Sequence, residues 1–364
     1  MVPVDALRAR AVGQRIFDRF QAAGAAPVAA DVLQPAETLL DLYGEDIRAR
    51  AYVTHDPLRG EMMLRPDFTV PVVQAHMAHG ADPARYTYLG RVFRKQDHSP
   101  RASEYLQAGF EVFDRADPSG ADAEVFVLFA DILSHLPLRA VTGDMGLIRA
   151  AVAGLETSDA RRAALMRHIW RPGRFRALLD RFAGRADAAP ARVAMLERMR
   201  ADDPATLIAQ AGQMNGLRSE AEILARIKAL QDDATQPPIP AGQVAQLDDL
   251  LALALPARDA LNHLRTLDWP AIAPAVARLS ARLDAMEARG INTQTLPFQA
   301  SFGRTTMEYY DGFVFGFLGS DDAPPVASGG RYDALTAVLG QGRAIPAVGG
   351  VIRPALVAAL EGAA

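Results

Sequence analysis

The sequence predicts an α+β fold in which one sheet is assembled from both ends of the chain. Short β-rich runs broken by Pro, Gly and Asp extend from about Ala51 to Phe113, and strand signals return from Phe298 to Phe317. Between them, residues 148–290 are rich in Ala, Leu and Arg with amphipathic periodicity. Strands, then a helical block, then strands again are typical of an α+β domain that carries a helical insertion.

The composition is that of a globular protein without a disulfide framework. Half of the 364 residues are apolar, so a sizeable core can be buried. The 39 Lys and Arg against 43 Asp and Glu give a net charge of -4, which provides no chain-wide attraction to nucleic acid or anionic lipid. The chain has no cysteine, which excludes a thiolate metal site and a cysteine nucleophile.

The distribution of charged residues and histidines predicts a cytoplasmic protein without a membrane partner or a metal. Charged residues from Asp5 to Arg15 interrupt any secretory signal, and no later apolar run is long enough to span a bilayer. The seven histidines are scattered without ligand spacing. We therefore expect no metal site and no cofactor.

The individual helices are predicted from apolar residues at helical spacing. Near the N-terminus these residues are Leu7, Ala11, Ile16, Phe17 and Phe20, and Gly24 is a C-terminal stop. A second helix is predicted from Asp122 to Leu136. In the helical block the clearest stripe is closed by Gly290 and consists of Ile272, Val276, Leu279, Leu283 and Met286.

A Pro-rich stretch, Gln236 to Pro240, is predicted to be a loop or hinge, because proline fixes φ and removes a donor. The predicted organisation is a sheet domain of residues 1–147 and 291–364 with a mainly helical insertion of residues 148–290.

The strand-like run Glu104–Phe113 alternates between an apolar and a polar face. The polar face consists of Tyr105, Gln107, Gly109 and Glu111. A strand with one face in solvent would show the same alternation. Gly109 favours the other interpretation, since a glycine inside a strand often marks close approach by a ligand or another backbone.

Three further segments combine charged or aromatic residues with turn signals. Leu64–Thr69 could equally be a solvated turn before a helix, with Asp67 or Thr69 as the N-cap. Met307–Phe315 contains paired tyrosines, which usually pack in a core or at its rim. Ser328–Asp333 could be no more than a turn.

Taken in order, the four segments resemble the class II aminoacyl-tRNA synthetases, and histidyl-tRNA synthetase among them. Phe93-Arg94 with the polar loop Lys95 to Ser103 and Gln107-x-x-x-Glu111 are similar to motif 2 of that family, and Leu64–Thr69 to its LRPE-type segment. Glu308–Tyr310 resembles its second histidine-specific motif, and Gly329–Asp333 the stretch before motif 3. The resemblance covers nearly the whole chain and implies an antiparallel sheet flanked by helices, with the helical block in place of the family's insertion domain.

The resemblance also implies a histidine-binding site. It places Asp67, Thr69, Gln107 and Glu111 around the amino group and body of the ligand, and Tyr309 and Tyr310 near the imidazole. Carboxylates and an amide oxygen suit an ammonium group, and a carboxylate or phenol can fix an imidazole tautomer. Arg94 would pair with a carboxylate or phosphate oxygen.

The ATP-binding half of the family's pattern is altered in this sequence. Thr305 stands where the synthetases have an arginine, with Arg304 one residue away, and a slip of one residue on a strand turns a side chain to the opposite face. Ala355 and Leu356 align with the glutamate-arginine pair of motif 3, near Arg353 and Pro354, and Gln96 replaces a motif 2 glutamate. Losing one positioned donor commonly costs ~10²-fold in rate, so we expect no amino-acid activation.

With a kept histidine site and altered ATP motifs, the sequence is similar to the family of ATP phosphoribosyltransferase regulatory subunits, which act in the first step of histidine biosynthesis. That resemblance implies activation of a short-form catalytic subunit, feedback inhibition by L-histidine, and a homodimer within a hetero-octamer. Dimerisation is expected through the N-terminal helix and Pro35–Glu37. Because the sequence ends at Ala364, we expect no anticodon-binding domain and no tRNA partner.

Two alternatives to a regulatory subunit remain open from the sequence. A diverged histidyl-tRNA synthetase-like enzyme could still activate an amino acid, which Thr305 and Ala355 argue against. A scaffold whose pocket has stopped binding ligand is favoured only by Asp67, a carboxylate one methylene shorter than the family's glutamate.

Overall fold

The computed structural model describes residues 6–43, 47–96, 102–186, 190–212, 216, 218–304, 309–320 and 323–363. The chain divides into two compact units. The first comprises Met1–Leu147, Ala252–Trp269 and Ala273–Ala364, and the second comprises Ile148–Leu251 with Pro270–Ile272. The sequence analysis assigned residues 252–290 to the helical block, whereas most of that stretch lies in the first unit.

Within the described residues, nine strands form one sheet in the order β1-β5-β6-β12-β11-β10-β7-β9-β8, and three form a second sheet in the order β2-β4-β3. Neighbouring strands are antiparallel except for the parallel pairs β1–β5 and β7–β9. The strands are β1 Ala26–Pro27, β2 Leu33–Pro35, β3 Val53–Asp56, β4 Gly60–Leu64, β5 Ala84–Phe93, β6 Glu104–Phe113, β7 Arg139–Asp144, β8 Ala254–Pro256, β9 Pro297–Gln299, β10 Phe313–Leu318, β11 Ala327–Arg331 and β12 Ala347–Ile352. The large sheet therefore combines strands from both ends of the chain, which confirms the predicted α+β class.

Sixteen α-helices are present in the same described ranges, and none of them is long and apolar enough to cross a membrane. They are α1 Ala6–Ala22, α2 Ala36–Tyr43, α3 Ile47–Arg50, α4 Thr69–His79, α5 Pro118–Leu133, α6 Met145–Ala153, α7 Asp159–Arg167, α8 Pro172–Phe182, α9 Pro190–Ala201, α10 Pro204–Gln210, α11 Glu220–Thr235, α12 Ala241–Ala252, α13 Ala257–Thr266, α14 Ala273–Glu287, α15 Asp333–Leu339 and α16 Pro354–Glu361.

Helix α1 packs on the large sheet with a face rotated from the predicted one. Leu7 and Ala11 are exposed, whereas the buried residues are Ala9, Val12, Gly13, Ile16 and Phe20. The reason is Gly13, because a Cβ there would lie 2.9 Å from the Leu89 side chain and 3.0 Å from that of Leu106. The helix therefore approaches the β5–β6 pair along its glycine.

Helix α5 begins four residues before the predicted start, at Pro118. The Asp117 carboxylate accepts a hydrogen bond from the Gly120 backbone N–H at 2.8 Å, and proline at the first helical position suits a helix start. The helix ends at Leu133 rather than Leu136.

The predicted stripe is buried, with Ile272 in the short turn before α14 and its other four residues in the helix. Gly290 beyond the helix end has a φ of 89°, as a helix stop requires. This helix belongs to the sheet unit because Arg282 forms ion pairs with Asp122 at 3.3 Å and Asp144 at 2.6 Å. The Pro-rich stretch separates α11, which ends at Thr235, from α12, which begins at Ala241, so it is a loop as predicted.

Candidate functional site

Both faces of strand β6 are buried beyond its first residues. Gln107 is 0 % exposed and Glu111 is 1 % exposed, so the polar face does not point into solvent. The interpretation of this strand as half-solvated is therefore wrong. Its polar side chains need partners inside the protein or in a ligand, because burying a polar group without a hydrogen bond is costly.

Two glycines make room for the polar face of β6. Gly109 lies opposite Tyr88 on β5, and a Cβ on Gly109 would lie only 2.0 Å from the Tyr88 ring. Gly109 thus accommodates the ring of the neighbouring Tyr88. The sequence analysis expected a ligand or another backbone to approach at this position. Gly349 on β12 lies opposite Glu111, where a Cβ would be 1.5 Å from a carboxylate oxygen.

The Glu111 carboxylate is held by neutral hydroxyl groups. Its Oε1 atom accepts hydrogen bonds from Tyr88 at 3.0 Å and Thr69 at 3.3 Å, and its Oε2 atom accepts one from Tyr332 at 2.6 Å. In the part of the chain that the structure describes, no Lys, Arg or His forms an ion pair with it. The carboxylate is therefore solvated by dipoles without a compensating charge.

Burial raises the pKa of Glu111 to about 7, although the three hydroxyl donors act in the opposite direction, and the nearby charge of Asp67 adds to the increase. Burial also raises the pKa values of Tyr88, Tyr309, Tyr310 and Tyr332, so these phenols remain protonated donors. The site therefore has at its centre a carboxyl group that becomes ionised only as the pH rises through about 7, with hydroxyl groups around it.

The segment before α4 brings Asp67 and Thr69 to Glu111. Asp67 accepts a hydrogen bond from the Val70 backbone N–H at 3.3 Å. The N-cap residue of α4 is Phe68, and Asp67 and Thr69 are buried, so the interpretation of this segment as a solvated turn with Asp67 or Thr69 as the N-cap is wrong. The Thr69 hydroxyl lies 3.5 Å from the Tyr309 hydroxyl in addition to its bond to Glu111. Between these residues, the Phe68 ring stacks on Tyr88 at a centroid distance of 4.3 Å.

The tyrosine pair lies on the same side of the site. The Tyr309 ring is 4.7 Å from Tyr310 and 6.1 Å from Tyr332, measured between centroids. Tyr310 is buried above Gly330, where a Cβ would lie 2.9 Å from its ring. The pair therefore packs in the core next to the residues that surround Glu111.

Gln107 is a buried polar residue of β6 whose side-chain amide is not hydrogen-bonded. Neither its amide oxygen nor its amide nitrogen has a hydrogen-bond partner among the described residues. It lies opposite Gly90, and a Cβ on Gly90 would be 2.5 Å from the Phe68 ring, so Gln107 lies beside the Phe68 and Tyr88 stack. Its amide offers a donor and an acceptor to a bound molecule.

Arg94 lies at the end of β5 next to the Leu64–Thr69 segment. Its Nε atom donates to the Pro66 carbonyl at 2.7 Å, and its backbone N–H donates to the Ser103 carbonyl at 2.8 Å. Six of the seven predicted site residues are thus connected through the hydrogen bonds, ring contacts and charge interactions described above or through the shared face of β6. These six are Asp67, Thr69, Gln107, Glu111, Tyr309 and Tyr310. Arg94 is anchored to the same segment as Asp67.

Tyr88 and Tyr332 are site residues that the sequence analysis missed. Tyr332 belongs to the Gly329–Asp333 segment, which the sequence analysis matched to the family without assigning Tyr332 a role in the site. Tyr88 becomes visible only with the strand register, because it lies opposite Gly109.

Arg331, directly before Tyr332, belongs to a buried ionic network. It pairs with Asp122 at 2.8 Å and Asp333 at 2.9 Å, and Asp122 also pairs with Arg282. Arg282 in turn pairs with Asp144 at 2.6 Å. Each guanidinium in this network faces two carboxylates.

The altered ATP motifs fall partly outside the described residues, since Thr305 and Glu308 are not among them. Pro354 opens α16, so Ala355 and Leu356 lie in its first turn without any charged group. The Arg353 guanidinium donates to the Pro325 carbonyl at 2.7 Å and contacts the Ser328 hydroxyl at 3.4 Å.

The chain matches the family model described as histidyl-tRNA synthetase over residues 1–241 and 226–355. Among solved structures, an ATP phosphoribosyltransferase regulatory subunit/histidyl-tRNA synthetase from Bacillus halodurans superposes with a TM-score of 0.69 at 20% identity, covering 99% of this chain and 81% of that one. Histidyl-tRNA synthetase from Nostoc sp. PCC 7120 gives 0.62 at 16% identity, covering 98% and 72%. Fold and family model together define a histidyl-tRNA synthetase-like protein of the class II type.

Curated relatives narrow the assignment. The ATP phosphoribosyltransferase regulatory subunit of Allorhizobium ampelinum is 32% identical over 353 residues, covering 92% of this chain and 93% of the relative. The proteins of that name from Mesorhizobium japonicum and Agrobacterium fabrum are 31% and 33% identical, each covering at least 92% of both chains. The chain belongs to the family of ATP phosphoribosyltransferase regulatory subunits.

Proposed function

We propose that this chain is the histidine-sensing regulatory subunit of an ATP phosphoribosyltransferase and has no catalytic activity of its own. It activates a short-form catalytic subunit and transmits feedback inhibition by L-histidine, as a homodimer within a hetero-octamer, in the cytoplasm and without tRNA. The proposal combines the names of the relatives with the chemistry of the pocket.

The observation that carries the proposal is the Glu111 carboxylate, which has no cationic partner among the described residues and lies on the same face of β6 as the unpartnered side-chain amide of Gln107. A buried carboxylate with neutral partners is suited to a ligand that brings positive charge or N–H donors. Free histidine supplies both through its ammonium and imidazole groups. Asp67, Thr69, Tyr309 and Tyr310 lie close to Glu111 or to one another and are proposed to complete the contacts with the ligand.

The proposed ligand has a carboxylate, for which Arg94 is the cation placed beside the Asp67 segment. The absence of catalysis is supported by the neutral first turn of α16, where the resemblance places a glutamate and an arginine. Arg353, the nearby cation, is engaged with Pro325 and Ser328. The proposed subunit therefore binds the amino acid without activating it.

The coupling between sensor and enzyme follows from linkage. If histidine binds one state of the complex more tightly than another, it shifts the population towards that state, and ligands of the catalytic subunit must affect histidine affinity reciprocally.

The test is to mix the purified chain with a short-form catalytic subunit and to measure phosphoribosyl-ATP formation with and without histidine. We expect activation on mixing and inhibition by histidine that is lost in Glu111→Gln. The control is Glu104→Gln, which changes an exposed carboxylate on the same strand. Absence of a complex and of activation would overturn the proposal, and histidine-dependent ATP-pyrophosphate exchange would favour an amino-acid-activating enzyme.

A further inference from the structure

Arg65 is a buried cation of the Leu64–Thr69 segment that the proposed histidine contacts do not use. It is 7 % exposed. Its Nε atom donates to the Arg91 carbonyl at 2.9 Å, and an Nη atom donates to the Ala30 carbonyl. In the described part of the chain no carboxylate forms an ion pair with it. The hydrogen-bond acceptors of this guanidinium are therefore backbone carbonyls.

The main chain fixes the position of this guanidinium. The backbone N–H of Arg65 donates to the Val32 carbonyl at 2.8 Å, and its carbonyl accepts from the Phe93 N–H at 3.1 Å. Burial lowers the pKa of Arg65, and the charge of Asp31 acts in the opposite direction. The cation is thus held at a buried position that disfavours its charge.

Two aromatic rings continue from the guanidinium into the site. The guanidinium carbon of Arg65 lies 4.0 Å from the centroid of the Phe68 ring, and that ring stacks on Tyr88 at 4.3 Å with an interplanar angle of 10°. A cation over a ring face is attracted by the quadrupole of the ring. A Cβ on Gly90 would lie 2.5 Å from the Phe68 ring and 2.8 Å from the Arg65 guanidinium, and one on Gly109 would lie 2.0 Å from Tyr88. Both glycines therefore leave room for the stack.

The stack ends at the carboxylate of the candidate site. The Tyr88 hydroxyl donates to Oε1 of Glu111 at 3.0 Å. This bond lowers the pKa of Glu111 against the larger effect of burial, because it favours the ionised form. Since the Phe68 ring covers one face of the Tyr88 ring, a displaced Phe68 would release the Tyr88 hydroxyl from the carboxylate.

We propose that Arg65 is a positioning residue for Glu111: it holds Phe68 against Tyr88 and thereby keeps the Tyr88 hydroxyl on the carboxylate. Arg65 acts through the two rings and is outside the proposed ligand contacts. The identity of the ligand rests on the proposed function, whereas the positioning of Glu111 can be measured without any ligand.

The test titrates Glu111 through the infrared band of its protonated carboxyl group, identified by its absence in Glu111→Gln. Arg65→Met removes the guanidinium and keeps an unbranched apolar side chain. We expect the titration midpoint of Glu111 to rise by about one pH unit, because the ionised form loses a positioned donor. Tyr88→Phe should raise the midpoint at least as much. Arg65→Met should add nothing to Tyr88→Phe, since both substitutions act on the same bond.

The matched control is Arg161→Met in the second unit. Arg161 is also 7 % exposed, and its guanidinium lies over the Phe182 ring at 5.0 Å, so an equally buried cation is removed from another aromatic ring. The midpoint of Glu111 should not change in this control. Arg65→Lys should restore part of the wild-type midpoint, because an ammonium group can also lie over the Phe68 ring. If Arg65→Met does not fold, Phe68→Leu provides the same test by removing the ring between the guanidinium and Tyr88.

Histidine binding provides the second readout. Relative to wild type, Arg65→Met should bind histidine about five- to tenfold more weakly at pH 6–7 and almost normally at pH 8.5, where Glu111 is ionised in both proteins. An unchanged midpoint in Arg65→Met or Phe68→Leu, full additivity with Tyr88→Phe, or an equal loss of affinity at every pH would overturn the positioning role. A wild-type chain that binds no histidine, with the midpoint shifting as expected, would overturn the proposed function and leave the positioning role standing.

Discussion

Two buried charge clusters in the first unit differ in how their charges are compensated. In the network of Arg331, Asp122, Arg282 and Asp144, each guanidinium faces carboxylates at ion-pair distance. At the proposed ligand site, the donors to Glu111 among the described residues are all hydroxyl groups. Since buried charge is costly unless it is paired, the charges of the network are satisfied within the fold, whereas Glu111 would gain a charged partner only from the proposed ligand.

The titration behaviour of the two clusters follows from this difference. Burial lowers the pKa of Arg331, but the charges of Asp122 and Asp333 outweigh it, so the pKa is raised overall and the arginine stays charged. Burial raises the pKa of Glu111 to about 7, opposed by hydrogen bonds from three hydroxyl groups but by no ion pair within the described part of the chain. Burial of a charged residue alone therefore does not mark a candidate binding site, whereas burial without a compensating charge does.

The largest expected effect is the loss of the shared carboxylate of the network. Asp122→Ala leaves two buried guanidiniums with reduced compensation and is expected to lower the free energy of unfolding by about 3–5 kcal/mol. The matched control is Asp131→Ala on the same helix, where an exposed pair with Arg19 is removed at a cost below about 1 kcal/mol. Urea unfolding measures both, and equal effects of the two substitutions would contradict the structural role of the network.

Removing the charge of Glu111 is expected to have the opposite sign. Its folded-state pKa of about 7 lies above the ordinary 4.5, so the folded protein binds the proton more tightly, and stability falls as pH rises from about 4.5 to 7. Glu111→Gln should therefore raise the free energy of unfolding at pH 8 by up to about 3 kcal/mol, change it little at pH 4.5, and abolish histidine binding. Urea unfolding across this range measures the slope, and a variant destabilised at pH 8 would show that the carboxylate is compensated after all.

A smaller effect is expected in the pH dependence of histidine binding. If the ligand pairs with ionised Glu111, the proton must leave on binding, so affinity should rise about tenfold between pH 6 and pH 8. Calorimetry in buffers of different ionisation enthalpy measures the released proton, after subtraction of the proton of the ligand's own imidazole. Proton uptake, or an affinity that does not vary with pH, would mean that Glu111 stays protonated in the complex.

The sequence predicted the fold class because helical and strand periodicities are local, and it predicted most of the candidate site because four segments matched a family in order. It could not show which face of α1 is buried, since Gly13 matters only against Leu89 and Leu106. The sequence also could not show which residues belong to the sheet unit. The apolar stripe of α14 has the same spacing whatever it packs against, whereas its unit is settled by the long-range pairing of Arg282 with Asp122 and Asp144.

The sequence also could not show which buried charges have a compensating partner. Glu111 and Arg331 both lie in motif segments, and nothing in the local pattern distinguishes the carboxylate without a cation from the arginine with two carboxylates. The role of Tyr88 depends on its register opposite Gly109, which a sequence does not fix. Site chemistry therefore emerged only when strands from both ends of the chain were placed side by side.

The smallest effect on stability is expected at Gln107, where two buried glutamines can be compared. The side-chain amide of Gln107 makes no hydrogen bond among the described residues, whereas that of Gln34 donates to the Asp31 backbone carbonyl at 2.7 Å. Gln107→Leu should therefore change the free energy of unfolding by less than about 1 kcal/mol, yet weaken histidine binding by about 10- to 100-fold through a lost bond to a charged ligand. Gln34→Leu should cost about 1 kcal/mol and leave histidine affinity unchanged. Calorimetry and urea unfolding on both variants decide the matter, and a Gln107→Leu protein that binds histidine normally would remove this residue from the proposed site.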